Sequence, residues 1–198
     1  MYKTVVFDLD GTLLNTLTDL ADAGNRLCRK YGWPTHERQA YRYFVGNGIP
    51  KLVERLAPAD QRTPAVLEAA LADFKRDYGQ HLRDTTAPYP GIPEMLAKLK
   101  ANGVQLAVFS NKADALAKEV VKDYFGTQYF TIVRGQMTGV APKPAAEGTN
   151  ALLQALHADP ASTLYVGDSN VDVETAHNAN LPCCGAVWGS VSYTHLRA

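Results

Sequence analysis

The apolar positions fall into two regimes along the chain. A short run, Thr4-Val5-Val6-Phe7, stands almost at the N-terminus and predicts a buried strand with Gly11 as its tight exit. Helical spacing follows: Leu17, Leu20, Ala21, Leu27 and Tyr31 repeat on one face, and Gly32-Trp33-Pro34 ends the run. After the break at Gly46-Asn47-Gly48, Ile49, Leu52, Val53 and Leu56 resume the period. Pro64 suits the first turn of another helix that carries Val66, Leu67, Ala70, Leu71 and Phe74 inward. Pro88-Tyr89-Pro90-Gly91 then marks a boundary.

Beyond that boundary, strands and helices alternate. A helix through Met95, Leu96 and Leu99 precedes the strand Val104 to Phe109, which ends at Ser110-Asn111. A helix from Ala113 to Tyr124 leads to the strand Tyr129 to Val133, and one through Leu152, Leu153 and Leu156 leads to Thr163 to Val166 and Gly167-Asp168. A short helix and the strand Cys183 to Val187 follow. Repeated strand–helix units predict an α/β fold: a Rossmann-like, doubly wound parallel sheet with helices on both faces. Residues 1–15 and 87–198 would form this core, and 16–86 an inserted helical domain placed as a lid.

The polar residues of interest sit where strands end: Asp8 and Asp10, Ser110 and Asn111, Asp168. In open parallel sheets, ligands bind at that edge. Asp8 and Asp10 are two apart, so they can share one site, and their repulsion calls for a cation or a shared proton. Asp168 and Asp172 add two carboxylates at the start of a helix. A few hard oxygens of this kind suit Mg2+ with places left for water and phosphate. Lys143, held between Pro142 and Pro144, opposes the negative charge, and Ser110 with the amides around Asn111 offers an anion site at a helix N-terminus. Carboxylates, a divalent cation, a lysine and amide donors together describe phosphoryl transfer. Taken singly, each has a plainer reading as a turn, cap or solvated residue.

Composition narrows the setting. The 198 residues, 46% hydrophobic and 20% charged, describe one substantial core with room for a small accessory domain. Twenty basic and twenty acidic residues cancel, so no global field favours nucleic acid or an anionic membrane. Cys28, Cys183 and Cys184 lack ligand spacing and suit a reducing compartment. No signal peptide and no membrane-length run is visible, which makes a cytoplasmic location the expectation.

The segments Asp8-Leu9-Asp10-Gly11-Thr12-Leu13, Ser110-Asn111, Lys143-Pro144 and Gly167-Asp168-Ser169-Asn170-Val171-Asp172, in this order, resemble the haloacid dehalogenase-like hydrolase superfamily. Phe44-Val45-Gly46-Asn47-Gly48 and Val166 to Ala176 look closest to its phosphoglycolate phosphatases. The resemblance implies that Asp8 attacks phosphorus and that Asp10 protonates the leaving oxygen and then activates water. It implies Mg2+ bound by Asp8, the Asp10 carbonyl and Asp168, with Asp172 supporting the metal site or orienting Lys143. Gly11, Thr12, Ser110, Asn111 and Lys143 would hold phosphate, and the helical cap would select substrates through Gly46, Asn47, Gly48 and Lys51.

The expected partner is a small phosphorylated metabolite such as 2-phosphoglycolate, with neither nucleic acid nor membrane, and the chain is expected as monomer or homodimer. Phosphatases or mutases for other small phosphates are the nearest alternatives, with a receiver-type signalling domain more remote. Asn15 stands where relatives most often carry Asp, and Ser190 to Ala198 resembles nothing in the family, so a truncated chain with an unrelated tail is expected there.

Overall fold

The computed structural model describes residues 1–189, and the expectation about the Ser190–Ala198 tail lies outside them. The chain divides into two compact units, Met1–Asn15 with the chain from Pro88 onward, and Thr16–Ala87.

The first unit holds a five-stranded sheet in the order β5-β4-β1-β6-β7. Its strands are β1 Thr4–Phe7, β4 Gln105–Ala113, β5 Phe130–Gln136, β6 Thr163–Gly167 and β7 Cys183–Gly185. Two-residue strands β2 Leu14–Asn15 and β3 Ala87–Pro88 pair separately, at the two points where the chain crosses between units. All four ladders of the main sheet are parallel. Parallel pairing needs crossover helices, which bury both faces of a central strand. β1 accordingly reads Thr-Val-Val-Phe with every residue buried.

Side-chain alternation divides the core between the two faces. Val6, Ala107, Phe109 and Tyr165 meet Leu152, Leu153 and Leu156 of α7 (Ala146–Leu156) and Ala176 of α8 (Asn170–Asn178). α5 (Ile92–Ala101) and α6 (Asp114–Phe125) also pack against β4. In register, Phe7 lies beside Val108 and Val166, so β1, β4 and β6 run out at one edge. Strands β4 and β5 lie to one side of β1, and β6 and β7 to the other. β1 is therefore the switch point of the sheet, the position at which open parallel sheets bind their ligands.

One expectation needs correcting. Ser110 and Asn111 do not stand at a helix N-terminus, because β4 continues through Ala113 and α6 starts at Asp114. The β4–β5 register shifts between Phe109 and Ala113, so Ser110, Asn111 and Lys112 occupy an irregular stretch. Such stretches re-aim side chains. Strand β7 is also shorter than expected, ending at Gly185.

The second unit is helical: α1 Leu17–Tyr31, α2 Tyr41–Phe44, α3 Ile49–Leu56 and α4 Pro64–His81. Gly32 closes α1 with φ of 67°, a left-handed conformation that glycine adopts at little cost. Thr63 caps α4 ahead of Pro64, and Ala70, Phe74 and Tyr78 form its buried stripe. Arg26 grips Asp77 through both carboxylate oxygens and so ties α1 to α4. Asp19, in the first turn of α1, accepts hydrogen bonds from the backbone and hydroxyl groups of Thr85 and Thr86 at 2.5–2.9 Å. This buried carboxylate fastens the start of the unit to its end.

Candidate active site

Asp8 follows β1 directly and is 7% exposed. Its amide donates to the Val166 carbonyl at 2.8 Å, which extends the β1–β6 alignment by one residue and fixes the backbone. One oxygen each from Asp8, Asp168 and Asp172 lie within 4.8 Å of one another, and all three residues are buried.

Against these stands the Lys143 ammonium, 2.9 Å from Asp8 Oδ1 and 2.7 Å from Asp172 Oδ1. It also donates to Tyr165 Oη at 3.1 Å and to the Phe109 carbonyl at 3.3 Å. The contact with Asp8 is an ion pair, and Asp8 Oδ1 is buried with no other polar partner. Burial opposes the charge on Lys143, but Asp172 and Asp8 outweigh it and hold the ammonium well above its ordinary value. Burial foremost, and then the Asp172 and Asp168 charges, push the Asp8 carboxyl up to about 8 against the pull of Lys143. Within this group, three carboxylates face one ammonium. Fully ionised, the group carries two negative charges in excess, which is the charge of one divalent cation.

Asp172 has no oxygen to spare. Its Oδ1 accepts from Lys143 and Tyr165, and its Oδ2 accepts from the Ser169 amide and hydroxyl at 3.0 and 2.5 Å. The Ser169 contacts form a capping box on α8, so one residue both caps a helix and holds the lysine. Gly167 makes room for it, since a Cβ there would strike the Asp172 side chain. Of the two roles open to Asp172, orienting Lys143 fits these contacts. Asp168 Oδ1 accepts from the buried Thr12 hydroxyl at 3.1 Å, and Gly11 takes the tight exit with φ of 87°.

Asn111 pins the Lys143 backbone from both sides. Its Oδ1 accepts from the Lys143 amide at 2.8 Å and its Nδ2 donates to the Lys143 carbonyl at 3.2 Å. Ser110 is buried, and its Oγ accepts from the Lys112 amide at 3.2 Å.

Asp10 stands apart from the three clustered carboxylates. Its oxygens lie 3.1 and 3.4 Å from the ammonium of Lys112. Each aspartate of the opening motif thus faces its own buried lysine. Lys112 and Tyr165 went unnoticed in the sequence. A lysine at a strand end reads as solvated, and a strand tyrosine reads as core. Only the alignment of β1 with β4 and β6 reveals them.

Gly46, Asn47, Gly48 and Lys51 belong to the helical unit. There Arg55 donates to Asn47 Oδ1 and to the Phe44 carbonyl, both at 2.8 Å, and Lys51 pairs with Glu54. Among the described residues, no helix is long and apolar enough to cross a membrane.

Residues 5–186 match the family model described as haloacid dehalogenase-like hydrolase. The chain is 32% identical to a phosphoglycolate phosphatase of Thiobacillus denitrificans over 183 residues, covering 91% of this chain and 81% of that one. It is 33% identical to a phosphoglycolate phosphatase of Neisseria meningitidis over 197 residues, covering 98% and 84%. A crystal structure of a predicted phosphoglycolate phosphatase from Haemophilus somnus superposes with a TM-score of 0.86 at 28% identity, covering 95% of this chain and 86% of that one.

Proposed function

The chain belongs to the haloacid dehalogenase-like hydrolase family, and from that premise we propose that it is a Mg2+-dependent phosphatase acting on a small phosphate monoester, with 2-phosphoglycolate the leading substrate. The observation that carries this reading is the buried group of Asp8, Asp168 and Asp172 around Lys143 at the switch point of the sheet. Relatives at 32% and 33% identity that are named phosphoglycolate phosphatases support that choice of substrate.

The donor set fits a hard divalent cation. Carboxylate oxygens converge, one buried oxygen of Asp8 has no polar partner other than Lys143, and the charge excess is two. Asp8 and Asp168 would hold the ion, with Asp172 kept for Lys143. When bound, the ion would neutralise phosphoryl charge and help to orient the ester.

The chemistry then falls to the chain's own residues. An Asp8 oxygen bonds to phosphorus as the bond from phosphorus to the ester oxygen breaks, leaving an aspartyl-phosphate. Asp10 gives its proton to the departing oxygen, and then takes one from the water that attacks the intermediate and frees Asp8. Lys143 offsets the charge that develops on the phosphoryl oxygens. Because Asp172, Tyr165 and Phe109 fix its ammonium, little reorganisation is needed at the moment of reaction.

The test is a panel of phosphate monoesters, including 2-phosphoglycolate and sugar phosphates, assayed with Mg2+ and with chelator. The expected result is metal-dependent phosphate release with 2-phosphoglycolate preferred. No release from any ester, or a phosphoprotein that accumulates without turnover, overturns the reading.

A further inference from the structure

We propose that Lys112 is a positioning residue that fixes the Asp10 carboxylate for proton transfer, an inference that rests on the phosphatase reading above. The pair joins residues 102 apart in sequence, brought together because β1 and β4 run out side by side. The Lys112 side chain is 2% exposed and that of Asp10 is 25% exposed. Lysine is rarely buried so completely unless it is paired. The carboxylate is open on one side, and the lysine is enclosed. Lys112 therefore acts through Asp10 rather than on a substrate.

The backbone supports the same assignment. Ser110 and Lys112 are two apart on the irregular end of β4, and the Lys112 amide donates to Ser110 Oγ. That bond holds the segment from which the lysine projects. The torsion that spins an aspartate carboxylate is broad, so an unheld Asp10 would sample many orientations. The Lys112 ammonium donates to both oxygens, at 3.1 and 3.4 Å, and so fixes the plane of the carboxylate. In the first step, Asp10 passes a proton to the ester oxygen as its bond to phosphorus breaks and the phosphoryl group moves to Asp8. In the second, the Asp10 carboxylate receives a proton from the attacking water.

The experiment compares Lys112→Met with the unsubstituted protein on two esters in single turnover, where leaving-group release reads only the first step. p-Nitrophenyl phosphate departs as a stable anion and needs no proton, whereas 2-phosphoglycolate does. Release from 2-phosphoglycolate should fall by about 100-fold, the lower range of general acid catalysis, and release from p-nitrophenyl phosphate by less than about 3-fold. Equal losses on the two esters, or no loss on either, overturn the proposal. If Lys112→Met does not fold, Lys112→Gln carries the same comparison. In an Asp10→Asn background, Lys112→Met should add less than about 2-fold on p-nitrophenyl phosphate, and a larger further loss counts against action through Asp10. Failure of the unsubstituted protein on both esters, or turnover by Asp8→Asn, refutes the phosphatase reading instead.

Discussion

Lys143 holds its ammonium 2.9 Å from Asp8 Oδ1 yet aims its hydrogen bonds elsewhere, at Asp172, Tyr165 and the Phe109 carbonyl. The lysine compensates the charge of the aspartate, and its aligned hydrogen bonds hold it to the surrounding strand and helix residues. Lys143→Met would leave buried carboxylates facing one another with no cation. Removing one partner of a buried pair costs about 3–5 kcal/mol, so the variant should denature at markedly lower urea and lose turnover.

Asp8→Asn should behave in the opposite way on stability. Burial and the Asp172 and Asp168 charges disfavour an ionised Asp8, and the amide removes that conflict while Lys143 keeps Asp172. The expected outcome is a Tm equal to or above that of the unsubstituted protein, with phosphate release at background. Substantial hydrolysis by this variant would remove Asp8 from the nucleophile's role.

A pH dependence follows from the same carboxyl, raised from 3.8 to about 8. Between those values the folded chain keeps a proton at Asp8 that the unfolded chain releases. This group's contribution to stability is therefore full at low pH and is lost as pH rises through about 8. A cation bound at Asp8 and Asp168 should oppose the loss. The Tm gain on adding Mg2+ should grow from about pH 5 to about pH 8 and vanish in Asp168→Asn, as differential scanning fluorimetry can check.

Tyr165→Phe removes a hydroxyl that accepts from Lys143 and lies 3.3 Å from Asp172 Oδ1. One buried N–H then lacks its acceptor, at a cost of about 1–3 kcal/mol in urea unfolding. Turnover should fall less than in Lys143→Met, because the ammonium and its pairing with Asp172 survive.

Gly189 approaches the Asp168 side chain so closely that an added Cβ would strike it and the Gly11 carbonyl. Gly189→Ala must displace one of them. Mg2+ affinity by calorimetry should fall about 10-fold or more, the size expected when the support of a metal ligand shifts.

What could be read from the sequence depended on the range of the interaction. Thr4–Phe7 and Thr163–Gly167 were legible as strands because each is a short apolar run with a turn residue behind it. The same logic placed Asp8, Asp10 and Asp168 at strand ends. The helix after β4 was legible, but the placing of Ser110 and Asn111 at its N-terminus failed because β4 persists past its pairing irregularity, and no local composition announces that. Lys112, Tyr165 and Gly189 acquire their meaning from partners at least seven residues away, and in two cases more than a hundred. Asp172 was legible as acidic but not as saturated, since saturation depends on where Lys143, Tyr165 and Ser169 point.

Asp19 has a wider consequence. By gripping Thr85 and Thr86, it closes the helical insertion into a loop whose ends are tied within its own boundaries. The tie inside the insertion adds to the β2–β3 pair at the crossings, so the spacing of its ends is set twice. The insertion can be exchanged as a cassette, shortened, or rebuilt around new contacts, while the strands that carry the carboxylates keep their register. Diversification of such a scaffold can then proceed in one segment without renegotiating the chemistry in the other.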